Sequence, residues 1–232
     1  MQNEKSGTNA KRCFIISAAL LVAFFVLILL LYTVDRGAYV ITGSAGRFEI
    51  EIGLKAINFA VADSVPYNSF WYDLSEILGV LCLLLAGGFA VFGIIQLVTR
   101  KSLKKVDKKI YLLAAFYVLI AVLYAFFEIV IINYRPTSLT GEKEASFPSS
   151  HTVLSLCVCL SSVTVLGYYV KNKKVLCAAN IALAALGSLT VLARALSGVH
   201  WFTDIIGGVL LSFALWFAFK ASVNLLDSRN LK

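Results

Sequence analysis

The chain has 232 residues, 59% of them hydrophobic, with a mean hydropathy of +0.84 and a formal net charge of +8. That apolar content lies outside the range of soluble globular domains and marks an integral membrane protein. Nucleic-acid binding is excluded as the meaning of the charge, because Lys and Arg fall in short clusters between apolar runs and form no single patch.

Residues 1–12 are polar, carry Lys5, Lys11 and Arg12, and read as a tail. The apolar run from Cys13 to about Thr33 is long enough to cross a hydrocarbon core. It exceeds a signal-peptide core and no small-residue cleavage site follows, so it is expected to be retained as the first span. Residues 34–70 are mixed: Phe48, Ile50, Ile52 and Leu54 alternate as in a strand, whereas Ile57, Ala60 and Val61 suit a helix lying on the membrane surface, the preferred reading. Trp71 and Tyr72 look like interface anchors opening a second span, about Leu74–Val98. Further spans are expected at about Ile110–Asn133, Ser149–Val170, Val175–Ala195 and Phe202–Val223. The expected fold is therefore all-α, a six-transmembrane-helix bundle over residues 13–223 with a short amphipathic outer segment between helices 1 and 2, flanked by tails 1–12 and 224–232. Gly87, Gly88, Gly207 and Gly208 are expected to permit close helix packing. The five cysteines fall in or at the ends of apolar runs and read as buried thiols, with no spacing that completes a metal site.

Basic residues concentrate at residues 1–12, 99–109 and 171–174 and in the C-terminal tail, all on one set of alternate loops. The positive-inside rule puts those loops and both termini in the cytoplasm. Arg135, His151, Arg194, His200 and Asp204 then fall at span ends on the outer face. Ionisable groups at membrane depth are costly, so this convergence of two Arg, an Asp and the protein's only two His suggests a site. Apart from Glu128 near a span end, no acid or base is placed at mid-span. Pro148, Ser149, Ser150 and His151 read as a helix opening whose serines cap its orphan amides and whose free N–H groups suit an anion. His200 and Asp204 are four apart, which on a helical turn sets a carboxylate beside an imidazole and fixes its tautomer.

The strings NYRP (133–136), PSSH (148–151) and Arg194, His200, Asp204 in R-x5-H-x3-D spacing resemble the three-part signature of the type 2 phosphatidic acid phosphatase superfamily, in its membrane branch. The resemblance implies an integral membrane lipid phosphatase that needs no metal or other cofactor. His200 would attack phosphorus to form a phosphohistidine, Asp204 would orient it, and His151 would protonate the leaving oxygen. Arg135, Arg194, Ser149 and Ser150 would hold the phosphate. The implied substrate is a lipid phosphomonoester or pyrophosphate, with undecaprenyl pyrophosphate, phosphatidylglycerol phosphate and phosphatidic acid as candidates. The implied setting is the outer face of a plasma membrane, a bacterial cytoplasmic membrane.

Three positions depart from the family pattern. Ala193 stands for the usual serine, Ser150 for the usual glycine, and Glu128 for the lysine expected two helical turns before Arg135. The expected resolution is that Glu128 pairs with an arginine and turns from the phosphate, while Lys143 in the loop supplies positive charge. The alternative is a catalytically impaired lipid-phosphate binder or carrier.

Overall fold

In hydrocarbon a chain must satisfy its backbone internally, and an apolar run does so as a helix. The structure, a computed structural model, describes residues 2–43 and 46–230. Its elements are α1 (Gln2–Thr33), β1 (Gly37–Gly43), β2 (Gly46–Ile52), α2 (Lys55–Ser64), α3 (Ser69–Arg100), a 3-10 turn (Leu103–Lys105), α4 (Lys108–Ile129), α5 (Ser150–Tyr169), α6 (Lys173–Leu196) and α7 (Phe202–Asn230). Among the described residues, six helices are long and apolar enough to cross a membrane, and α2 is not one of them. The chain is a multi-pass membrane protein with the expected helical bundle.

The inner helices are α5 and α7, with 50% and 56% of their most apolar stretches buried against 17% to 22% for the other four. Such half-burial leaves the outer helices facing lipid. Helix α1 runs along α7, and α5 packs on α3, α6 and α7. The Ser17 hydroxyl donates to the Ala214 carbonyl across the first of these seams at 2.8 Å. A side chain on Gly207 would run into the Phe147 ring, and one on Gly208 would lie 2.9 Å from Thr152 Cβ. Close packing is thus found at Gly207 and Gly208 but not at Gly87 and Gly88, whose faces meet nothing within 4 Å. Four cysteines are buried as expected; Cys177 is exposed.

The outer segment differs from the surface helix expected for it. Residues 37–52 form an antiparallel hairpin pairing Gly37 with Ile52 through Gly43 with Gly46, and only residues 55–64 are helical. The strand alternation wins because it buries Ile50 and Ile52 while Glu49 and Glu51 stay in solvent. The third span also ends early, at Ile129. Ile129, Val130, Ile131 and Ile132 form a β-branched run that disfavours another helical turn, so residues 130–133 are released into the loop. The two expected tails continue as helix, α1 from Gln2 and α7 to Asn230, while Met1, Leu231 and Lys232 lie outside the described residues.

Candidate active site

The first turn of α7 assembles the site's centre. A helix leaves its first N–H groups unpaired, and Trp201, immediately before α7, has no side-chain oxygen to cap them. Two other residues do so. The Asp204 carboxylate reaches back to accept from Trp201 N–H at 3.0 Å, and Asn58 of α2 accepts from Thr203 N–H and hydroxyl, each at 3.2 Å. Asn58 is fully buried and anchored by its own N–H donating to the Gly53 carbonyl at 2.9 Å. Tyr39 and Phe59 then close over Trp201 with ring centroids 5.0 and 6.1 Å away. The hairpin and α2 therefore hold the start of α7 in place.

His200 and Asp204 meet as their spacing requires, His200 Nδ1 lying 3.3 Å from Asp204 Oδ2. Ser146 Oγ donates to the same carboxylate oxygen and lies 3.2 Å from His200 Nδ1, while Asn133 Nδ2 donates to Oδ1 at 3.0 Å. With its acceptors so engaged, Asp204 holds the proton on Nδ1 and leaves the Nε2 lone pair free. His200 Nε2 has no hydrogen-bond partner although the ring is buried. Burial pushes the His200 pKa down to about 4 against the opposing Asp204 hydrogen bond, so the ring is neutral at pH 7. A neutral, oriented, unpartnered imidazole nitrogen is a nucleophile.

Ser146 and Asn133 arrive through a short ladder within the loop: Ser146 N–H to the Asn133 carbonyl, a Tyr134–Ala145 bridge, and Arg135 N–H to the Glu144 carbonyl, both bonds at 3.0 Å. Trp201 Nε1 donates to the Tyr134 carbonyl at 2.6 Å and fixes this ladder to α7. Its position delivers Arg135, whose guanidinium pairs with Glu144 at 2.9 Å.

The opening of α5 departs from the expected capping. Ser149 makes no side-chain cap; its N–H donates to the Asp204 carbonyl at 3.1 Å and its hydroxyl accepts from Thr152. Ser149 is fully buried and spent on this packing, whereas Ser150 and His151 face the cavity described below. The first-turn amides of α5 therefore have no side-chain cap from Ser149.

Arg194, in the last turn of α6, is almost wholly enclosed. Its Nη1 donates to Ser75 Oγ and to Glu76 Oε1 at 3.0 Å each, and its guanidinium lies 5.2 Å from the centre of the Tyr72 ring. Tyr72 thus serves the site and is no interface anchor alone. The other oxygen of Glu76 lies 3.3 Å from His151 Nε2. Gly79, one turn further along α3, makes room for that imidazole: a Cβ there would sit 2.9 Å from His151 Cδ2.

Residues 126–227 match the model of the PAP2 superfamily. A solved structure described as the first transmembrane PAP2 type phosphatidylglycerolphosphate phosphatase from Bacillus subtilis shares the fold, with a TM-score of 0.58 at 19% identity over 93% of this chain and 97% of that one. No curated protein matches the sequence. The PAP2 match and the six-span fold support a membrane phosphatase.

A cavity of about 490 Å³ opens beside His200, lined at its polar end by Arg135, Ser146, Ser150, His151 and Glu76. Its walls continue as apolar side chains of α3, α4 and α5, among them Leu83, Ile120 and Leu154. Glu128 lines the cavity too, but its expected pairing with an arginine is not found among the described residues, where Arg135 is held by Glu144 and Arg194 by Glu76. Lys143 is also not where the expectation put it: its Nζ donates to the Glu49 carbonyl at 3.1 Å and is not among the cavity-lining residues. The loop ladder turns the Lys143 side chain toward the hairpin, 5.5 Å from the centre of the Tyr134 ring. Sequence reasoning missed Glu76, Ser146, Asn133 and Asn58. Only Glu76 carried a signal, an acid set within an apolar span on the site's side.

Proposed function

We propose that the protein is a lipid phosphatase that cleaves a lipid phosphomonoester or pyrophosphate through a phosphohistidine, with its site on the outer face of the membrane. The observation that carries this reading is the buried, unpartnered Nε2 of His200, fixed by Asp204 at the head of a cavity whose walls become apolar. A soluble phosphate ester needs no such wall, whereas a lipid's acyl or prenyl chain does.

In the first step His200 Nε2 donates its electron pair to phosphorus, the bond to the lipid oxygen breaks, and that oxygen takes a proton from Nε2 of His151 in its imidazolium form, which becomes neutral. In the second, water gives a proton back to His151 and attacks phosphorus, the P–N bond breaks, and orthophosphate leaves with His200 neutral again. Arg135, Arg194 and the first-turn amides of α5 stabilise the equatorial oxygens. The relative of similar fold is named for phosphatidylglycerolphosphate, which makes that lipid the first substrate to try, beside undecaprenyl pyrophosphate and phosphatidic acid.

Purified protein and its His200→Ala variant are to be compared for phosphate release from these three lipids. Release by wild type alone is the expected result, and equal release by both would overturn the mechanism. The resident carboxylates on both arginines favour one second reading, a lipid-phosphate binder without turnover. Binding of the lipids by wild type without phosphate release would favour it.

A further inference from the structure

The cavity walls include Glu76 but not Arg194, the buried arginine behind it. Arg194 Nη1 meets Glu76 Oε1 at 3.0 Å, and the same nitrogen donates to Ser75 Oγ. The second Glu76 oxygen meets His151 Nε2, the nitrogen that faces a leaving group in the proposed reaction. One carboxylate therefore spans the two groups that a phosphoryl oxygen and a leaving oxygen would each require. Unlike Arg194, whose side chain is 1% exposed, the Glu76 side chain is 42% exposed and lines the cavity. His151 Nδ1 has no partner, so among the described residues Glu76 is the side chain that holds this imidazole from the pocket side.

We infer that Glu76 is a resident counter-anion occupying the phosphate seat of the free site, and that a phosphate must displace it to reach Arg194. This rests on the phosphatase reading for its meaning but not for its test. The displaced carboxylate acts as a specificity-determining residue. It weakens the hold on any small phosphate, orthophosphate product included, and leaves net affinity to a ligand that also fills the apolar walls. It also keeps the Nε2 proton of His151 directed into the cavity until a leaving oxygen arrives, since Nε2–H has a carboxylate to donate to and Nδ1 has no partner.

The test is orthophosphate binding to the full-length protein in detergent, read by 31P line broadening, for wild type, Glu76→Gln, Glu76→Ala and Glu76→Asp. Removing the competing charge is expected to tighten orthophosphate binding by roughly tenfold in Gln and Ala, the scale of one modest ion pair. Asp, which keeps the charge, stays closer to wild type and remains informative should the neutral variants fold poorly. In turnover with a lipid phosphate, KM is expected to fall in Glu76→Gln while kcat does not rise, a split that general loosening of the helix would not produce. Unchanged or weaker orthophosphate binding in Gln and Ala would overturn the inference. Tighter binding in a protein that releases no phosphate from any lipid would support it while the phosphatase reading fell. Turnover by wild type with no tightening in the variants would do the reverse.

Discussion

Replacing Asn58 with alanine removes one side chain from the outer segment and leaves three buried groups short of a partner: the Gly53 carbonyl, Thr203 N–H and the Thr203 hydroxyl. Loss of a helix cap costs about 1 kcal/mol, and each buried polar group left unsatisfied about 1–3 kcal/mol. Asn58 is 0% exposed, so water does not readily replace it. Allowing for relaxation, the expected destabilisation is about 2–4 kcal/mol. The catalytic consequence follows from position, because Thr203 adjoins Asp204 and lies three residues from His200. A shift of the first turn by about 1 Å would cost on the order of a hundredfold in kcat. Asn58→Asp keeps an acceptor for Thr203 N–H and places a negative charge at the start of α7, so it is expected to retain most of the capping and to lose only the bond to Gly53. The assay is thermal melting in detergent by tryptophan fluorescence, together with kcat on the best lipid phosphate. Alanine and wild-type proteins that melt together and turn over at the same rate would refute the idea that α2 positions the nucleophile.

Three further outcomes are expected. His200 should titrate near pH 4 and be resolvable by 15N NMR, since the protein has only two histidines. Its folded pKa is depressed below the ordinary 6.5, so its contribution to stability is present in full above about pH 6.5 and is lost as pH falls through 4, roughly 3 kcal/mol in all; titration near 6.5 would contradict the buried geometry. Ser146→Ala removes a donor to Asp204 and a neighbour of His200 Nδ1, and is expected to lower kcat about ten- to a hundredfold with little change in KM; a change confined to KM would show that Ser146 serves binding instead. Lys143→Ala is expected to stay within about twofold of wild-type kcat/KM, because its ammonium is held by the Glu49 carbonyl; a loss beyond tenfold would place Lys143 in the phosphate site after all.

Much of the site was legible because its parts lie at fixed short spacings on helices. His200 and Asp204 are one turn apart, so the helix itself brings them together, and Arg135, His151 and Arg194 stand at span ends that alternation of the bundle carries to one side. The partners that complete them come from elsewhere in the chain. Ser146 and Asn133 reach Asp204 through a loop ladder with no periodic pattern, and Asn58 reaches Thr203 across 145 residues. Neither pairing leaves a trace in local spacing.

Hydropathy alone determined the six helices long and apolar enough to cross a membrane among the described residues, because the bilayer solvates apolar helices and little else. The motif spacings picked out residues that the fold brings near one another, among them His200, Asp204, Arg135 and His151. Which oxygen faces which nitrogen was decided only by tertiary packing: Ser149 is drawn inward by the Asp204 carbonyl, Lys143 is drawn outward by the hairpin, and Glu76 of α3 is set between Arg194 and His151. These outcomes depend on side-chain reach between helices that are neighbours in space and distant in sequence. A helix specifies its own faces, but its neighbours decide what those faces touch.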